Sequence, residues 1–237
     1  GASDEARELI RSAARREFMF THGSEHPGIT APIDLVESDL GPALIFDFNE
    51  DEVPLESYLA EHGAKLGLDE RLHLVRQIAD TLRYAHARKL VHRALTPAQV
   101  YVRELDGVLR VSVRDWQTGR RTQGTTTAQP VSPTATSFGV GDVRDMLAHD
   151  DWVYLAPEAH QHLADVPPVP LDVFGLGAIS YLILTGEAPA KSLAELKGRL
   201  ETHGHLDPHT ADSSVPEDLA EVVRMATARV ESDRLAS

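Results

Sequence analysis

The chain has 237 residues and a formal net charge of −14, from 23 Lys and Arg against 37 Asp and Glu. Such a carboxylate excess disfavours nonspecific binding to nucleic acid or anionic membrane, and the lack of cysteine removes disulfides, thiolate nucleophiles, Fe–S clusters and cysteine-based zinc sites. With 42% hydrophobic and 25% charged residues the chain reads as an ordinary globular protein, without an apolar run near the roughly 18 residues of a membrane span and without a signal peptide, so the cytoplasm is its expected location.

Residues 4–22 read as a helix capped by Ser3 or Asp4, with Leu9, Ile10, Ala13, Phe18 and Phe20 as its apolar stripe. His26-Pro27-Gly28 ends it. Two strand-like runs follow, near 29–36 and 43–48, joined by a turn over Ser38–Pro42 into a hairpin. Residues 55–62 suit a short helix. The strongest helix spans 69–88, where Leu72, Val75, Ile78, Ala79, Leu82 and Ala85 recur at spacings of three and four behind an Asp69 cap. Strands over 99–103 and 108–113 are joined by Asp106-Gly107, a strong hairpin signal. Thr122–Ser137, rich in Thr, Ser and Pro, predicts a mobile loop. More helix is expected after Pro157. The run 172–185 is apolar on every side and predicts a buried helix ended by Gly186. Amphipathic helices follow over 192–203 and 216–229, the second with Pro216 in its first turn. His203, His205, Asp207 and His209 cluster near Gly204 and Pro208, where a solvated loop is expected rather than a metal site.

Six segments then fall into a familiar order. The run His92-Arg93-Ala94-Leu95-Thr96-Pro97-Ala98-Gln99 resembles the catalytic loop H-R-D-L-x-x-x-N of protein kinases. Arg114-Asp115-Trp116-Gln117 stands where that family carries D-F-G, Ala156-Pro157-Glu158 matches its A-P-E, and Asp172-Val173-Phe174-Gly175-Leu176-Gly177 resembles its D-x-W-x-x-G. Arg234 lies where the family places the partner of the A-P-E glutamate. Glu17 precedes His26-Pro27 by nine residues, as the αC glutamate precedes its H-P-N. Phe46 resembles the gatekeeper and Asp47-Phe48-Asn49 the hinge. The chain is therefore similar to the protein kinase-like superfamily, a degenerate bacterial Ser/Thr kinase-type domain. An aminoglycoside-phosphotransferase-like fold is the rival, and the Ala156-Pro157-Glu158 and Asp172 segments argue against it.

The resemblance implies an α+β fold with a mainly helical large lobe over 49–237, a reduced small lobe of helix and hairpin over 1–48, and an activation-segment-like loop over 115–158. It also exposes what is missing. The proton-accepting carboxylate position is Ala94, whose methyl group accepts no proton, and the metal-binding asparagine is replaced by Gln99, one methylene longer. Trp116-Gln117 replaces Phe-Gly. No G-x-G-x-x-G occurs, and no Lys precedes Glu17; natural loss or divergence of that region is the expectation. From this the chain is expected to be a pseudokinase and not an enzyme, a regulatory or interaction module whose partners are other domains of a longer bacterial chain or another protein, with no cofactor. An opening Gly1-Ala2-Ser3 without Met supports the expectation of a longer chain. Two alternatives remain: an active but degenerate Ser/Thr kinase with its lysine supplied elsewhere, and a nucleotide sensor. In either, ATP and Mg²⁺ would meet Asp115, Gln99, Asp47 and Asn49, with Asp115 as the metal ligand. Structural roles are expected for Glu17, for His92 in packing, for Arg93 against the activation loop, for Asp172 as a cap on the catalytic-loop backbone, and for Glu158 with Arg234 as a buried strut.

Overall fold

A computed structural model describes residues 4–39, 41–116, 120–121, 149–160 and 166–236. Gln117, the Thr122–Ser137 tract and most of the expected 115–158 loop lie outside the described residues. The chain matches the mixed, helix-rich fold that the motifs imply. Helix α1 (Asp4–Thr21) packs on a two-stranded antiparallel hairpin, β1 (Asp34–Ser38) and β2 (Gly41–Ile45). The expected strands near 29–36 and 43–48 are shorter than the apolar runs. Asp34 pairs with Ile45, and Ser38 with Gly41. Ile29 instead bridges Val113, with Val113 N–H donating to Gly28 at 2.8 Å and Thr30 N–H to Val113 at 3.1 Å. That bridge fastens the chain after α1 to the rest of the molecule. It requires glycine at 28, because a Cβ there would stand 2.0 Å from Thr81 Oγ1.

Beyond Phe46–Asn49 a three-stranded sheet forms, in the order β3 (Val53–Pro54), β5 (Val100–Leu105), β6 (Val108–Val113). Asp106 and Gly107 turn the β5–β6 hairpin with φ of 51° and 75°, the left-handed pair that a two-residue turn between twisted strands needs. Helix α2 (Leu55–His62) follows β3 directly, and α3 (Leu68–Ala87) lies against β6. The cap of α3 differs from the expected Asp69. Gly67 is the capping residue, and Glu70 reaches back to its N–H at 2.8 Å, which leaves Asp69 inside the first turn. Strand β4 (Leu90–Val91) pairs with β7 (Arg120–Arg121).

After Pro157 the expected helix is only a 3₁₀ turn, Pro157–His160. Helix α4 begins earlier than the apolar run suggests, spanning Pro168–Thr185, since Pro168 in the first turn forgoes an amide that no helix bond needs. Nearly every residue from Leu171 to Leu184 is buried, and Gly186 ends the helix at φ 77°. Helix α4 corrects the expectation that no apolar run approaches a membrane span: by length and composition it could cross one, yet 72% of that stretch is buried inside the fold, against α3 and the later helices. Helix α5 (Leu193–His203) is capped by Ser192, whose hydroxyl accepts from Glu195 N–H at 3.2 Å. The expected solvated loop around Asp207 contains a short helix, α6 (Pro208–Ala211), because Asp207 caps it through His209 N–H at 3.0 Å. Helix α7 (Glu217–Ala226) ends before residue 229, and Pro216 is its capping residue, outside the first turn.

Gly175 brings α4 within contact of the motif-bearing loop, for a Cβ there would lie 2.9 Å from the Leu95 carbonyl oxygen and 3.2 Å from Leu95 Cβ. Backbone cannot swing aside as a side-chain tip can. Gly175→Ala is expected to cost about 1–3 kcal/mol, read from the urea midpoint.

Candidate functional site

The loop that follows β4 is held from beneath by one carboxylate. Asp172, fully buried on α4, accepts His92 N–H at 2.8 Å through Oδ2 and Arg93 N–H at 2.5 Å through Oδ1. His86, on the buried stripe of α3, adds Nε2–H to Oδ2 at 2.8 Å. These bonds hold Arg93 at φ 75°, a left-handed conformation that costs a non-glycine residue about 1–3 kcal/mol. The His92 ring donates Nε2–H to the Arg114 carbonyl at 2.9 Å and meets Trp116 edge-on, ring centres 4.8 Å apart.

Ala94 is buried at the position of the absent carboxylate. Gln99 turns its side-chain oxygen back onto the loop. Its Oε1 accepts Thr96 N–H at 2.9 Å and Thr96 Oγ1–H at 2.7 Å, which uses both lone pairs. The extra methylene relative to asparagine lets the amide fold back onto its own turn, Pro97–Gln99. Its backbone carbonyl accepts Arg114 N–H at 2.9 Å, so the loop and the end of β6 are joined.

Asp115 is exposed and left-handed, φ 58°. Trp116, fully buried, donates Nε1–H to the Val113 carbonyl at 3.1 Å and its backbone N–H to Glu17 Oε1 at 3.2 Å. Glu17, itself fully buried, thereby links α1 to the residue after Asp115. Asp47 and Asn49 stand on the linking segment instead. Asp47 is exposed, while Asn49 Oδ1 accepts Asp51 N–H at 3.1 Å. Hydrogen bonds therefore join Glu17, His92, Arg93, Gln99, the Arg114–Trp116 segment and Asp172 into one constellation. Glu158 and Arg234 form a second. Arg234, with no exposed side-chain surface, binds both Glu158 oxygens and the carbonyls of Pro170 at 2.9 Å and Ala228 at 2.8 Å.

Sequence reasoning missed His86, whose signal was a polar residue four after Leu82 on an apolar stripe. It also missed an acidic corner. The 3₁₀ turn His149–Tyr154 packs on the Pro97–Gln99 turn and carries Asp151, only 8% exposed. Burial, then the nearby Glu56 and Asp151 charges, push the Tyr154 phenol well above its ordinary value. Burial and then Asp151 raise the Glu56 carboxyl, against the hydrogen bond from Tyr154.

Comparison with known proteins bears on this geometry. Residues 2–236 match the family model described as the protein kinase domain. The chain is 37% identical over its whole length to the Probable kinase PglW of Streptomyces coelicolor, of which the match covers 16%. It is 30% identical over 88% of its length to the Serine/threonine-protein kinase PkaA of Streptomyces coelicolor, and 26% identical over 91% to the Serine/threonine-protein kinase PrkC of Bacillus subtilis, covering 35% and 30% of those proteins. The chain thus spans about a third or less of these relatives. The expectation of a non-enzyme is corrected by this finding, since the relatives are named kinases and the most alike of these three matches along the entire chain. A missing base removes a factor from a rate and does not abolish the chemistry.

Two outcomes follow from the geometry. Asp172→Ala leaves two buried amides without an acceptor and is expected to cost about 3–5 kcal/mol by urea denaturation, with loss of slow hydrogen exchange at His92 and Arg93. The folded state holds the Tyr154 proton more tightly than the unfolded state, whose phenol titrates near 10. That stability is complete below pH 10 and is lost as pH rises above it; Tyr154→Phe removes this alkaline loss from the denaturation midpoint.

Proposed function

The chain belongs to the protein kinase domain family, and from that premise we propose that it transfers the γ-phosphoryl group of ATP to serine or threonine hydroxyls as one module of a longer protein. The observation that carries the reading is the pair of left-handed residues, Arg93 and Asp115, held in place by buried carboxylates on α4 and α1. Backbone strain over-determined in this way marks a site whose geometry is used. The names of the relatives support the choice of acceptor.

Among the described residues no group of three or more His, Asp or Glu side chains is disposed to hold a metal. A resident metal site does not fit, whereas one carboxylate suits a magnesium ion that arrives with nucleotide phosphates. Asp115 is that carboxylate, exposed at the edge of the loop. Gln99 would have to release Thr96 before it served a metal. When bound, Mg-ATP supplies the transferable phosphoryl group. The chain's residues orient the loop through Asp172, fix Asp115 through the Glu17–Trp116 bond, and keep Trp116 packed on His92. No lysine precedes Glu17, so the cation that grips the phosphates comes from elsewhere in the assembled protein. Its partners are the neighbouring domains of that longer chain, a reading supported by the small share of each relative that the match covers. We place it in the cytoplasm, where ATP is held.

The test is incubation of the purified full-length protein, with its neighbouring domains, with γ-labelled ATP and Mg²⁺. Label is expected on serine or threonine, and Asp115→Asn is expected to reduce it by roughly 10²-fold or more without lowering the thermal midpoint. A preparation that binds Mg-ATP and yields no labelled protein sinks the proposal.

A further inference from the structure

Arg103 and Arg110 stand directly opposite one another on the β5–β6 hairpin. Like charges in that register repel, and a carboxylate at either position would relieve the repulsion. The chain carries arginine at both, although its acidic residues outnumber Lys and Arg by 37 to 23. Among the described residues neither guanidinium has a hydrogen bond or an ion pair, whereas Arg114, Arg224 and Arg234 are each held by carboxylates. Both line a cleft of about 380 Å³ between residues 26–28, α3 and the hairpin. The carboxylates in that cleft already have donors. Glu52 accepts from Arg114 and from Ser112 Oγ–H at 3.2 Å, and Asp80 accepts from Arg83 at 3.3 Å. Gln77 ties α3 to the hairpin, its Nε2–H donating to the Leu109 carbonyl at 3.0 Å and its Oε1 accepting Val111 N–H at 3.1 Å. The walls of the cleft are therefore set in advance of any ligand. Leu105, two residues from Arg103 and on the same face, also lines it, and its cross-strand neighbour Val108 is exposed.

We propose that this cleft binds a peptide bearing a phosphorylated serine or threonine, with the phosphate between Arg103 and Arg110. A phosphorylated side chain brings about −1.5 to −2 charge and three acceptor oxygens at neutral pH. It can engage two planar guanidiniums at once through paired N–H donors, and it removes the repulsion that the hairpin otherwise bears. Leu105 and Val108 offer apolar surface beside the arginines, which suits an aliphatic side chain near the phosphorylated residue and gives a bare anion nothing. An anionic lipid headgroup has related chemistry, but a net charge of −14 opposes approach to a bilayer of such lipids, and the arginines line a cleft. The inference goes beyond the phosphoryl-transfer reading and does not rest on it, since binding needs neither nucleotide nor transfer.

The test is fluorescence anisotropy with the full-length protein and a short fluorescein-labelled peptide that carries one phosphothreonine and a leucine two residues after it. This peptide is expected to bind with Kd below about 1 mM, at least about tenfold more tightly than its unphosphorylated form. Arg103→Gln and Arg110→Gln are each expected to weaken binding about tenfold or more. Arg110→Glu places opposite charges across the hairpin. It is expected to weaken binding by at least as much while the urea midpoint stays at or above that of wild type, a combination that a purely structural role for Arg110 does not produce. Binding that survives Arg110→Glu, or that ignores the phosphate on the peptide, overturns the proposal. Displacement by inorganic phosphate at concentrations near the peptide's own Kd also overturns it, marking a site for the free anion. So does Arg110-dependent sedimentation with phosphatidylserine vesicles, which marks a bilayer site. Should Arg103→Gln fail to fold, the variants of the exposed Arg110 decide. The assay contains no nucleotide, so its result stands apart from whether the protein transfers label.

Discussion

One carboxylate with three donors organises the centre of this molecule. Asp172 sits on the most buried helix, and its charge is taken up entirely by two loop amides and the His86 ring. An isolated charge at that depth would be prohibitive. Paired in this way, it turns the cost of burial into a fixed direction for the backbone, since those amides reach the carboxylate only when Arg93 adopts its left-handed turn. His92 then faces Trp116, Trp116 faces Glu17, and α1 is drawn onto the rest of the chain. The strain at Arg93 and the burial of Asp172 are offset by the same set of bonds.

The motifs that made the fold legible are those tied to such bonds. Asp172 is legible from one position in a pattern because its partners are backbone amides, which any neighbouring sequence supplies. The hairpin at Asp106-Gly107 is equally plain, since two successive left-handed residues suit Asp-Gly and few other pairs. Periodicity revealed α3 and the burial of α4 for a similar reason, as each buries one face or all faces against the core.

What escaped the sequence depends on side-chain direction or on distant pairing. Gln99 is the right residue type to meet a metal, yet Thr96 turns its oxygen inward. Val53 and Pro54 are too few to show an alternation, and only their pairing with Val102 and Tyr101 makes them a strand. Asp69 looks like a cap, but Glu70 closes the turn on Gly67. The judgement against enzymatic activity failed differently. It took the loss of one group at Ala94 as the loss of a reaction, when that group contributes one multiplicative factor among several and the chain's relatives are kinases throughout its length.

The ion pair between Glu158 and Arg234 spans 76 positions and draws in the carbonyls of Pro170 and Ala228. Until Arg234 arrives, Glu158 lacks the counterion that justifies its place at the foot of α4. During synthesis Arg234 leaves the ribosome 76 residues after Glu158, so Glu158 waits for its latch while the apolar α4 between them is already extended into the cell. Such an order leaves a window in which the nascent segment carries unburied apolar surface, and it closes once Arg234 docks on Glu158.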